Sequence, residues 1–315
     1  MRSHTSFRRS RRTFAAVAAS VIGTLGAACS DQIPTAPRLG PGEPTADRIT
    51  PSYEWTTIDI PNARSTSVQG INAGGDVSGF YVDLQGRTHG FVWSDGSVTS
   101  IEYPGADNTD VRGIGPDGTV VGTHWNIGEE AVAFHGFERT PDGVFSPVHF
   151  PGHLYEVPQR ILPDGTILGC RHDHDLMATM RGVVITRSNS IEIDTFASMN
   201  NGATPDGRRT IGLYTNMMAK RNEAYLIEDG EFTPLLFPGS TSTSGWDVNA
   251  RGDIVGVYVN AAGAHGWIRA NGAFTSIDVP GATATRVFGV NARGDVVGTY
   301  AAAGKTHGFL GRRSR

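Results

Sequence analysis

Two cysteines, Cys29 and Cys170, and two lysines, Lys220 and Lys305, are all that 315 residues contain. So few cysteines exclude a disulfide framework, and modification of Cys29 would leave no intramolecular pair at all. Stability must then come from packing. The scarcity of lysine leaves no basic stripe, and the formal charge is −4. That balance argues against nucleic acid as a partner. No amphipathic helix is legible after residue 50. Serine-nucleophile motifs, phosphate-cradling glycine loops and zinc-protease spacings are also missing.

What the chain does have is a repeat. Thr57-Ile58-Asp59-Ile60-Pro61 precedes Gly70-Ile71-Asn72-Ala73-Gly74-Gly75-Asp76-Val77-Ser78-Gly79 and His89-Gly90-Phe91. The same order returns as Ser276-Ile277-Asp278-Val279-Pro280, then Gly289 to Gly298, then His307-Gly308-Phe309. The closing glycine of the middle motif falls at Gly79, Gly122, Gly169, Gly212, Gly256 and Gly298. A period in the low forties built from short strands points to a β-propeller. Each unit divides into four strand-sized pieces separated by turns such as Pro116-Asp117-Gly118, where Asp-Gly is a strong hairpin signal.

The strand count predicts how the ring closes. The last unit stops after its third strand, while an extra fourth-type strand, Tyr53 to Ile60, precedes the first. The expected fold is therefore all-β: a six-bladed β-propeller with four strands per blade, the last blade closed by the N-terminal strand. Closure of this kind removes exposed edges.

His89-Gly90-Phe91, His135-Gly136-Phe137, His265-Gly266-Trp267 and His307-Gly308-Phe309 resemble the HAF-type extracellular repeat family. The resemblance covers about residues 53–311 and fades in units three and four, at Arg181-Gly182-Val183 and Ala224-Tyr225-Leu226. It implies an exported bacterial repeat protein and no particular reaction.

The N-terminus reads as a targeting segment, residues 1–28, and not as part of the fold. Arg2, Arg8, Arg9, Arg11 and Arg12 precede a charge-free stretch from Thr13 to Cys29. That stretch is too short and too rich in Ala for a comfortable membrane span. Ser10-Arg11-Arg12-Thr13-Phe14 resembles a twin-arginine export motif, with an ordinary Arg-rich signal as the alternative. Leu25-Gly26-Ala27-Ala28-Cys29 resembles a lipoprotein signal box, which would lipidate Cys29; cleavage after Ala28 by the ordinary signal peptidase is the alternative. Ser30 after the cysteine points to the outer membrane or cell surface, with a periplasmic or secreted protein otherwise. Residues 29–50, with Pro34, Pro37, Pro41 and Pro44, read as a semi-extended tether. Residues 51–315 are the propeller. Loss of the five Arg takes the formal charge of −4 down by five, to −9.

Three sets of residues carry candidate chemistry. The repeated histidines sit on separate blades and cannot share one metal, whose bonds are about 2 Å long; hydrogen bonding between strands suits them better. Asp76, Asp253 and Asp295 read as turn-stabilising side chains. Cys170, His172, His174, Met177, Met180, Met217 and Met218 gather thiol, imidazole and thioether around the divergent units, a donor set that favours copper(I). Met filling irregular gaps is the alternative. His124, Trp125, Glu129, Glu130 and Tyr155 form a third set, in which an aromatic beside acids could stack on a sugar ring.

These features point to a binding or interaction module at the bacterial cell envelope, with a glycan, peptide or protein as partner. The competing class is a propeller enzyme, a lyase or hydrolase, or a copper-binding protein using the face at blades two to four. Fold alone does not separate these classes.

Overall fold

The computed structural model describes residues 51–128, 133–150, 152–187, 189–193 and 195–314. The segments expected to be a targeting sequence and a tether, with Cys29, and Glu129 and Glu130, lie outside the described residues. The chain begins with β1 (Tyr53–Ile58). The first unit follows as β2 (Ser65–Ile71), β3 (Val77–Val82), β4 (Thr88–Ser94) and β5 (Ser97–Ile101). The second is β6 (Asn108–Ile114), β7 (Val120–Trp125), β8 (His135–Arg139) and β9 (Phe145–Val148). The third is β10 (Tyr155–Ile161), β11 (Ile167–His172), β12 (Arg181–Ile185) and β13 (Ser190–Glu192), with a single-turn helix, α1 (Leu176–Thr179), before β12. The fourth is β14 (Ser198–Ala203), β15 (Arg209–Asn216), β16 (Arg221–Glu228) and β17 (Glu231–Leu235). The fifth is β18 (Ser242–Val248), β19 (Ile254–Asn260), β20 (Gly263–Ala270) and β21 (Ala273–Ile277). β22 (Ala284–Val290), β23 (Val296–Ala302) and β24 (Lys305–Arg313) complete it.

Units two to five each form a separate antiparallel four-stranded sheet. The expected six blades of four strands need correction: only four separate four-stranded sheets form, and the other eight strands make one continuous sheet. β24 pairs antiparallel with β1 over six residues, from Tyr53 with Arg313 to Ile58 with Gly308. It also meets β2 through one parallel pair, Ser65 with Thr306. The N-terminal strand thus supplies the fourth strand that the last unit lacks. The first strands, β2, β6, β10, β14, β18 and β22, each touch the next around a closed ring.

The repeat's glycine has a backbone cause. Every inner strand carries a bulge, as between Val68 and Gly70. The bulge drives a carbonyl toward the neighbouring strand, and a Cβ at Gly79 would run into the carbonyl oxygen of Ser67. The same clash with an inner-strand carbonyl recurs at Gly122, Gly169, Gly212, Gly256 and Gly298. Only glycine fits such a close backbone approach.

Hydroxyls then fasten one unit to the next. Thr66, Thr109, Thr243 and Thr285 accept from the amides of Ile60, Tyr103, Phe237 and Val279 at 2.9–3.0 Å. Each amide lies just beyond a fourth strand and would otherwise be buried without a partner. Between successive units lie separate apolar clusters. Ile101, Val111 and Phe137 join the first two, and Val287, Ile277 and Phe309 join the last two. Each such side chain, fully buried, contributes about 1.5–3 kcal/mol.

Candidate functional site

Three of the four repeated histidines take structural places. His89, His265 and His307 lie 2.8–2.9 Å through Nδ1 from Glu102, Asp278 and Asp59, carboxylates just past a fourth strand. Their rings stack on Tyr81, Tyr258 and Tyr300 of the second strand at 4.9–5.0 Å. Asp76, Asp253 and Asp295 accept from Asn72, Asn249 and Asn291 at 2.9–3.1 Å, which fixes the first turn of their units.

His124 and Trp125 are neighbours on β7 and therefore face opposite sides of their sheet. His124 stacks on Tyr103 at 3.6 Å and stands 5.2 Å from the His135 ring. Trp125 turns the other way, onto Phe134 at 4.9 Å. Phe134 packs edge-on against Tyr155 at 5.2 Å, and the backbone pairs there in parallel. Tyr155 stacks on His172 at 4.4 Å and meets His174 edge-on at 5.8 Å. Trp125, Phe134, Tyr155 and His172 are partly buried and His174 is exposed. The result is one continuous aromatic ridge across the second and third units. It unites Trp125 and Tyr155 with two members of the cysteine–histidine–methionine set. Phe134, which connects them, carries no signal in the sequence because it precedes the repeat motif.

The remaining members of that set are scattered. Cys170 is fully buried and packs with Val157, Met180 and Ala197. Burial pushes its thiol up to about 12. Burial also lowers the pKa of His172 below its usual value. Met177 lies in α1, and its side chain is outside those described. Met217 and Met218 are 68% and 91% exposed in the turn between β15 and β16. Among the described residues no three His, Cys, Asp or Glu side chains converge in a way that would hold a metal ion.

The ring's centre holds two residues that the sequence reading passed over. Gly70, Gly113, Gly202 and Gly289 occupy one position of the inner strands, where a Cβ at Gly70 would lie 2.8 Å from the Arg112 carbonyl oxygen. In the third and fifth units that position is Arg160 and Asp247. The two form an ion pair at 3.6 Å. Arg160 also donates to the carbonyls of Gln159, Gln69 and Phe288, so it reaches the first and last units. Asp247 accepts from the amides of Val248 at 2.9 Å and Val290 at 3.0 Å. Burial pushes the Asp247 carboxyl up while Arg160 and these amides hold it down. Above the pair lies a small cup of about 130 Å³ walled by Ile71, Ile114, Ile161, Val248 and Val290. With its oxygens committed to amides and Arg160, Asp247 ties strands together across the ring. The departure from glycine in an otherwise regular column was the readable signal.

Comparison with protein-family models and with curated proteins gives no match to this chain. Solved structures do resemble it. A gluconolactonase from Xanthomonas campestris is 14% identical with a TM-score of 0.52, covering 83% of this chain and 90% of that one. The β-propeller domain of the Trilobed protease from Pyrococcus furiosus is 11% identical with a TM-score of 0.50, covering 80% of this chain and 96% of that one. TolB from Acinetobacter baumannii is 12% identical with a TM-score of 0.53, covering 77% of this chain and 64% of that one. At such identities the likeness shows the fold alone, and that fold is an all-β propeller.

Proposed function

We propose that this protein is exported, anchored through lipid on Cys29, and works at the cell envelope as a six-bladed propeller that binds a glycan. The eight-stranded sheet counts as two blades in this reading. Both halves carry the four-strand order of the other sheets, and a single parallel pair links them. Export and anchoring rest on the Arg-rich start, the small residues before Cys29, the proline-rich tether and the resemblance to HAF-type extracellular repeats.

The observation that carries the binding reading is the ridge of Trp125, Phe134, Tyr155 and His172, joined ring to ring and only partly covered. Aromatic faces with polar edges offer both a stacking surface and hydrogen bonds to a sugar ring. Rings already packed against each other reduce the ordering cost of binding.

A glycan array probed with the full-length protein tests the reading. Trp125→Ala and Tyr155→Ala should each weaken a bound glycan at least tenfold in protein that remains folded. Absence of any glycan ligand, or binding indifferent to both substitutions, would refute it. Cys29→Ala should move the protein from the membrane fraction to the soluble fraction.

A further inference from the structure

Units two and three depart from the repeat where their second strands end. At that position the first, fifth and sixth units pair residues without rings: Ser65 with Val82, Ser242 with Val259 and Ala284 with Ala301. The second unit pairs Asn108 with Trp125, and the third pairs Tyr155 with His172. His172 therefore ends the aromatic ridge, and its two nitrogens are in different states. Nδ1 lies 3.0 Å from the backbone carbonyl oxygen of Asp173. A carbonyl oxygen only accepts, so Nδ1 carries the proton. Burial lowers the pKa of His172, while the Asp173 carbonyl and carboxylate act the other way. The ring is thus neutral at neutral pH, and Nε2 holds a lone pair. Among the described residues Nε2 has no hydrogen-bond partner. The stack on Tyr155, 13° from parallel, fixes the plane of the ring.

We infer that the ridge selects glycans carrying an acetamido group, whose N–H donates to Nε2 of His172 while its methyl lies on the neighbouring aromatic surface. This rests on the glycan reading and names the class of sugar. A hydroxyl can donate or accept, so it suits either protonation state of an imidazole. An amide N–H only donates, and it needs the lone pair that this tautomer presents. The acetyl methyl supplies the apolar group that Phe134 and Tyr155 can cover. The ionisable groups around His172 are engaged elsewhere and leave this role to Nε2. The Asp173 carboxylate accepts from the Leu154 amide at 3.0 Å and lies 3.3 Å from Nδ1 of His153. Arg171 donates to Glu192 and to the Thr179 carbonyl. The Tyr155 hydroxyl lies 3.3 Å from Nδ1 of His174.

The test is calorimetric titration of the full-length protein with the β-1,4-linked trimers of N-acetylglucosamine and of glucose, which differ only in acetamido against hydroxyl. The acetylated trimer should bind about tenfold tighter at pH about 7.5. That preference should vanish as pH falls through the folded value of His172, below the usual value of about 6.5, because an imidazolium has no lone pair to offer. His172→Phe keeps a ring in the stack, so it should bind both trimers alike and show no such pH step. Equal binding of the two trimers by the wild type would overturn the inference and leave the glycan reading standing. So would a preference that survives in His172→Phe or at low pH. Binding of neither trimer would also overturn it, and the glycan array would then decide the broader reading by itself.

Discussion

His307 and Asp59 are 248 residues apart in sequence, and the imidazole Nδ1 lies 2.8 Å from the carboxylate oxygen. One side chain comes from the final strand and the other from the end of the first. Identical contacts inside single units, His89 with Glu102 and His265 with Asp278, span 13 residues. The chain therefore treats its two ends as one unit. Trp55 reinforces the joint by packing edge-on against Phe309 at 5.3 Å.

The ion pair at the ring's centre predicts a non-additive mutant cycle. Arg160→Gly should strand a buried carboxylate and cost about 3–5 kcal/mol. Asp247→Gly should be costly in the same way. The double variant Arg160→Gly, Asp247→Gly restores the residue of the other four units and should recover most of the loss. Urea unfolding of the four proteins measures the coupling. Additive single effects would contradict the pairing.

The first unit carries a pH prediction. Burial alone would lower the pKa of His89, but its hydrogen bonds to Asp83 and Glu102 hold it above the usual value. A raised value in the folded state gives stability that is complete below the unfolded pKa of about 6.5. That stability fades as pH rises through the folded value. The Tm difference between the wild type and His89→Gln should therefore be larger at pH about 5.5 than at about 8.5. A difference that grows with pH would contradict the assignment.

Cys170 should be chemically silent. Its thiol is fully buried and pushed up to about 12, so little thiolate forms at neutral pH. In the Cys29→Ala protein, a thiol reagent should label nothing until urea unfolds the chain. By the same reasoning Cys170→Ser should leave competition for copper(I) unchanged. Rapid labelling of the folded protein would contradict the buried placement.

What was legible in the sequence followed from local backbone demands. Gly79 and its five counterparts are fixed by a carbonyl approaching within the same unit. Asp76, Asp253 and Asp295 are fixed by an asparagine four residues away. Such requirements repeat with the chain and so appear as a period. The spare strand at Tyr53 was readable for the same reason, since it matched a class of strands. The departures from glycine at Arg160 and Asp247 were readable, but their pairing was not, because the two side chains meet only across the closed ring. The ridge was half legible: Trp125 and Tyr155 are readable as aromatics beside polar residues, but Phe134 joins them through a bridge between units. The separation of His124 from Trp125 follows from strand alternation, which puts neighbours on β7 on opposite faces.

Ring closure by the N-terminal strand supports everything else, and amide hydrogen exchange tests it most directly. The amides shared by β1 and β24 should exchange as slowly as the amides shared by β22 and β23. Deletion of residues 51–61 should release protection along β24 and lower the Tm. Fast exchange of the amides shared by β1 and β24 beside a protected β23, with a Tm indifferent to the deletion, would show that the ring does not close this way.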